Sequence, residues 1–223
     1  MRKPLFIALA LLASTSGLQA QTEYYNTRHE LSFALGGASN TTILGSLIDF
    51  TQIALSATVT SMASMGTYTA YYTYGDEHYV PTHSFEYYYH VNKVVAVGGV
   101  FAFNGVKRDM YMEWTENNKE VHHKDKVGRA VRRNFTLLPS VKFDWLRREH
   151  FGMYSKVGIG ATWMHQTQKD DADGGTDYSD DDVIFNFQLT GIGMEAGSEK
   201  WRGFLELGMG EQGIALMGVK YKF

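Results

Sequence analysis

The chain has 223 residues with 44% apolar and 14% aromatic side chains, a mean hydropathy of −0.26 and a formal charge of −3. With no Cys, disulfide scaffolds, thiolate metal sites and cysteine-borne lipid anchors are excluded; the mild acidity gives no electrostatic reason for a nucleic-acid partner. Many Gly, Tyr and Phe beside only three Pro make a β-rich composition.

Residues 1–20 read as a signal peptide. Arg2 and Lys3 precede an apolar run from Pro4 to Ala13, and small or polar residues follow to Ala20, the expected cleavage point. An apolar stretch of ten is well short of the roughly 20 residues a membrane-spanning helix needs. The expected mature domain is therefore 21–223, exported and without a lipid anchor.

Beyond the leader the periodicity is two. Leu31, Phe33 and Leu35 alternate with polar or small neighbours, as do Phe85, Tyr87 and Tyr89, and Val95, Val97, Phe101 and Phe103. A fourth run sets Phe135, Leu137, Val141, Phe143 and Trp145 against Thr136, Ser140, Lys142 and Asp144. Runs around Val157–Trp163, Val183–Leu189, Trp201–Met209 and Ala215–Phe223 bring the number of expected strands to eight. The links at Asn92-Lys93, 146–150 and 197–200 are short. Residues 37–81, 104–131 and 166–182 are long and polar, with Gly210–Gly213 a shorter fourth link on the same side. Alternating short and long links predict an antiparallel up-and-down barrel.

Periodicity alone does not say which face points inward. The apolar faces end in large aromatics: Tyr89, Trp145, Trp201, Tyr221 and Phe223 toward the short turns, Phe103, Phe135 and Trp163 toward the long links. That is where rings would sit at two bilayer interfaces. The polar faces carry Glu30, Glu86, Asp144 and Glu206 against Lys142, Lys156, Lys220 and Lys222, a balanced set suited to filling the narrow interior of an eight-stranded barrel. Gly98, Gly158, Gly160 and Gly208 are expected to make room there. The predicted fold is an all-β, eight-stranded transmembrane barrel with a closed polar lumen. A soluble secreted barrel carrying an apolar ligand is the inverted alternative.

The chain ends Leu216-Met217-Gly218-Val219-Lys220-Tyr221-Lys222-Phe223. Gly218, Tyr221 and Phe223 resemble the β-signal read by the barrel assembly machinery, with Leu216 where a polar residue is usual. With it, the mature chain resembles the eight-stranded outer-membrane barrels of Gram-negative bacteria, of the outer membrane protein A and X type, without a periplasmic domain. The resemblance implies a cell outer membrane location, periplasmic chaperones and the assembly machinery as partners in biogenesis, and roles in adhesion, surface defence or membrane integrity. The expected protein is a monomer in contact with outer-membrane lipid and lipopolysaccharide, with a role in membrane integrity, adhesion or binding at the cell surface.

Within the long links, Leu44, Leu47, Ile48, Leu55, Val59 and Met62 fall at helical spacings, so residues 41–65 are compatible with a short amphipathic helix over or into the barrel mouth or at the membrane surface, and equally with an ordinary folded outer loop or a strand extension. Lys124, Lys126, Arg129, Arg132 and Arg133 form a cationic cluster that reads as a solvated loop, with a contact for lipopolysaccharide phosphates as the functional alternative. Asp171, Asp173, Asp177 and Asp182 have spacings near those of a calcium loop, but Gly175 and Thr176 break the pattern and a solvated acidic loop is expected. His122 and His123 with Glu120 and Asp125, or His78 and His83 with Glu77, supply residue types for a lipid A-modifying hydrolase or acyltransferase. No nucleophile motif accompanies them, so no enzyme, cofactor or metal site is expected.

Overall fold

A computed structural model describes residues 27–116, 121–171 and 177–223. Eight antiparallel strands close in sequence order: β1 His29–Gly37, β2 Tyr68–His90, β3 Val95–Glu116, β4 Val121–Arg147, β5 Phe151–Asp170, β6 Tyr178–Gly197, β7 Trp201–Gly210 and β8 Ala215–Lys222. One helix, α1, spans Asn40–Ala63 between β1 and β2. The ring closes where β8 pairs with β1, from Glu30 opposite Lys222 to Gly37 opposite Ala215. Phe223 and His29 exchange two backbone hydrogen bonds of 2.9 Å below that seam.

Strands form because each has two chemically different faces. Along β4, Leu137 is 62% exposed, while Thr136, Leu138, Ser140 and Lys142 are buried. The short turns tighten by side-chain capping. Asn92 accepts from the amides of Val94 and Val95 at 2.8 Å each, and the Ser198 hydroxyl accepts from the Trp201 amide at 3.0 Å.

The wall is uneven. β1, β7 and β8 have 9, 10 and 8 residues, whereas β2 to β6 have 20 or more. Most of the long polar links expected at 37–81, 104–131 and 166–182 are therefore strand, standing above the three short strands as a crown. β3 and β4 remain paired from Val95–Phe143 up to Glu116–Val121. These stretches read as loops because alternation fades once both faces of a ladder are polar.

α1 is longer than expected, 24 residues or about 36 Å. Ser39 caps it, its hydroxyl accepting from the Thr42 amide at 3.3 Å. By length and composition it would pass for a membrane span. Yet the face it buries is small and polar (Thr41, Gly45 and Asp49), while Leu47, Phe50, Leu55 and Met62 are exposed.

Candidate functional site

All eight charged residues expected on the inner face lie buried inside the barrel. The lowest group centres on Glu30. Its carboxylate accepts from Lys142 at 2.5 Å and from His90 Nε2 at 2.7 Å, with Lys222 and Lys220 at 3.3 and 3.5 Å. Asp144 lies 3.3 Å from Lys142. Arg147, which can only donate, approaches His90 Nδ1 at 3.1 Å. Asp144 lies 3.3 Å from the same ring nitrogen, while Nε2 faces Glu30.

Beside this group, Glu195 accepts from Arg202 and Lys220 at 2.7 Å each, and from Lys222. Arg202 also donates to the Arg148 and Glu149 carbonyls at 2.7 Å, tying the network to a turn. Higher up, Lys156 bridges Glu86 at 2.5 Å and Glu206 at 2.8 Å. Tyr154 donates to Glu206 at 2.7 Å, and Lys220 lies 4.3 Å from the centre of the Tyr154 ring. A side chain at Gly193 would run into that ring.

Five buried carboxylates (Glu30, Glu86, Asp144, Glu195 and Glu206) thus pair with five buried cations (Lys142, Lys156, Arg202, Lys220 and Lys222) among the described residues of the lower interior. Charge balance with shared hydrogen bonds is the condition under which buried ions are tolerated. Sequence reasoning missed Glu195 and Arg147 for a definite reason. The β6–β7 register shifts between Thr190 and Ile192, and the β4–β5 register between Asp144 and Leu146. Each bulge turns the inner face from even to odd residue numbers.

The mouth is closed by an element that sequence alone left as a short link. Gly210 and Gly213, at φ +141° and +116°, fold the segment between β7 and β8 inward, so that Glu211 and Gln212 are fully buried. Gln212 donates to Glu86 at 2.6 Å. Glu211 receives the first turn of α1: Oε1 accepts from the Thr41 hydroxyl at 2.6 Å and from Asn104 at 2.7 Å. Oε2 accepts from the Thr41 amide at 3.1 Å and from Asn186 at 2.8 Å. A carboxylate here satisfies free helix amides and complements the positive end of the helix dipole. Further along α1, Asp49 takes a two-pronged hydrogen bond from Arg108, and the Arg108 guanidinium stacks 3.6 Å from the centre of the Tyr74 ring. Burial works against the Arg108 charge, but Asp49 outweighs it and holds the guanidinium above its usual pKa.

The cationic cluster is divided. Lys124 pairs with Glu113 at 2.8 Å, and Lys126 and Arg129 pair with Asp109 at 2.5 and 3.2 Å. Arg133 is exposed on the outer face, while Arg132 points inward, 3.8 Å from Asp49. Of the β-signal residues, Gly218 sits in β8 against Phe204, and Tyr221 and Phe223 join a ring ladder with Trp201 and His29. Phe103, Phe135 and Trp163 form a second ladder near the crown, with ring centres 5.1 and 5.4 Å apart.

His122 bonds Thr115 at 2.9 Å, His123 stacks on Trp114, and His83 contacts the Pro81 carbonyl at 2.9 Å. Glu77 accepts from Tyr79. Glu120 lies outside the described residues, as does the stretch 172–176 within the acidic loop. Among the described residues no three His, Asp or Glu side chains gather as a metal cluster. No protein-family model matches this chain, and no curated protein matches it significantly.

Proposed function

We propose that the chain is an integral barrel of the Gram-negative outer membrane, with its crown at the cell surface and a lumen closed to conduction. The observation that carries this reading is the inversion of the wall. Leu137, Val183, Phe185, Met217 and Trp201 are each more than 60% exposed, while charged residues of both signs fill the interior. Water outside and a charged interior would make no sense of that pattern; hydrocarbon outside does. The two aromatic ladders fall at the upper and lower borders of the apolar band, as rings at two interfaces would.

On this reading the function is structural or interactive: membrane integrity, adhesion or binding through the crown, with Arg133 on the lipopolysaccharide-facing surface. Delivery uses periplasmic chaperones, and assembly uses the barrel machinery reading Gly218, Tyr221 and Phe223. The resulting barrel is a monomer. The test is fractionation of expressing cells, followed by electrophoresis of the detergent-extracted protein with and without heating. An outer-membrane protein that migrates faster unheated is the expected result. A protein soluble without detergent and insensitive to heating would sink the proposal.

A further inference from the structure

Between α1 and the inner face of the crown runs a cleft of two connected chambers, both bordered by Gln52, Tyr74 and Gln168. The outer chamber, about 670 Å³, is walled by Ile53, Met110, Met112 and Val127 with the rings of Tyr72 and Tyr178, and Ser56, Lys169 and Asp170 also border it. Its size is that of a small-molecule site, and its methionines give an adaptable apolar surface. The inner chamber, about 230 Å³, is bordered by Arg132, Gln166, Asp180 and Asp182. Arg132 is the informative residue. Its Nε is buried with no hydrogen-bond partner among the described residues, and its nearest carboxylate, Asp49, is already held by Arg108. Arg132 also borders the inner chamber, where its guanidinium can donate to an acceptor oxygen.

The other groups fix the charge of what supplies it. Asp180 and Asp182 would repel an anion, and Arg132 with Arg108 behind it would repel a cation. Three acids (Asp49, Asp180 and Asp182, the first held by Arg108), one guanidinium and three amides (Gln52, Gln166 and Gln168) line it together, and they suit a neutral group that both donates and accepts, which is the property of hydroxyls. We propose that the cleft binds a neutral, hydroxyl-rich, single-chain amphipath of the soluble glycoside type. Its polyol head lies on Arg132, Gln166 and Gln168, and its short apolar tail lies between Ile53 and the two methionines. The outer chamber suits one short chain rather than the paired long chains of a membrane lipid. The site lies wholly in the crown and does not depend on what surrounds the wall below.

The test is equilibrium dialysis of radiolabelled octyl glucoside, below its micellar concentration, against the purified full-length barrel held in an amphipol. One saturable equivalent is expected. Met112→Trp and Ile53→Trp, which fill the outer chamber from opposite walls, should abolish it while leaving the heat-dependent gel shift intact. Arg132→Met should weaken octyl glucoside about tenfold, the loss of one charge-assisted hydrogen bond, while leaving uptake of octanol unchanged. Uptake that never saturates, equal uptake by folded Met112→Trp protein, or octyl phosphate binding better than octyl glucoside would overturn the proposal.

Discussion

Along β4 the chemistry of the wall changes between Phe135 and Arg133, although the backbone ladder does not. Below, Leu137, Val141 and Phe143 face out and Lys142 faces in, held by Glu30 across the lumen. Above, Arg133 and Arg129 face out and Arg132 faces in toward a helix, yet pairing with β5 continues to Gly128 opposite Asp170. Alternation therefore reports a chemical difference between the two faces of the wall, not the presence of a strand. The lower barrel relies on ions removed from water, whereas on the outer face of the crown the ion pairs remain in it. Substitutions in the two regions should differ in kind as well as in size.

The largest effect is expected inside the lower barrel. Glu195→Leu leaves Arg202, Lys220 and Lys222 buried with their nearest shared carboxylate gone. Breaking one partner of a buried ion cluster costs about 3–5 kcal/mol. The temperature at which the fast-migrating band disappears should fall steeply, or folded protein should be lost altogether. A variant as heat-resistant as the parent would mean that the lumen is wet enough to hydrate the orphaned cations.

Next comes the outer face. Leu137→Arg puts a charge in the middle of the apolar band, and in hydrocarbon that costs about 2–4 kcal/mol. Thr115→Arg, high on the crown, should cost almost nothing. Urea unfolding of both variants in lipid vesicles gives the contrast directly. Equal, negligible costs would place water on both sides of the wall and remove the basis for a membrane location.

The anchor of α1 joins the two regions and should be intermediate. Glu211→Ala deletes an acceptor that takes four hydrogen bonds at the barrel mouth, and leaving such buried donors unpaired costs about 1–3 kcal/mol. Amide exchange at Thr41 to Ile43 should accelerate, while exchange in the lower halves of β3 and β4 stays slow. If both quicken together, the plug is part of the lower barrel's cooperative unit rather than a separate clasp.

How much of this was legible in the sequence follows from the same contrast. Strict alternation disclosed eight strands and the inner positions of Glu30, Glu86, Lys142 and Lys156, because an apolar outer face and a charged inner face write themselves into every second residue. It disclosed nothing of Glu195 or Arg147, since a bulge leaves no mark in a hydrophobic pattern while reversing which residue numbers face in. Glu211 and Gln212 looked like any polar pair between glycines; only the inward fold at Gly210 and Gly213 makes them a lid. Helical spacing allowed α1 without deciding for it over a loop, and said nothing of its orientation. Apolar residues such as Leu47 and Phe50 would ordinarily mark the packed face, whereas here Thr41, Gly45 and Asp49 form it.

The smallest effects belong to the exposed pairs of the crown, and they test whether its ladder holds in solution. The hydrogen bond from Lys126, helped by Arg129, keeps Asp109 below its ordinary pKa, and Lys124 does the same for Glu113. For a carboxylate whose folded pKa is depressed, the stabilisation is complete above the unfolded value near 4 and disappears as pH falls through the folded one. A carboxyl titration followed by NMR should place both midpoints below those of free side chains. Lys126→Ala should return Asp109 toward the ordinary value, and Lys124→Ala should do so for Glu113. Because these pairs stand in water, 1 M salt, with a screening length of about 3 Å, should move both midpoints upward while leaving the heat-resistance of the buried lumen almost unchanged. An Asp109 midpoint indifferent to both Lys126→Ala and salt would mean that the upper part of the β3–β4 ladder is not formed in solution.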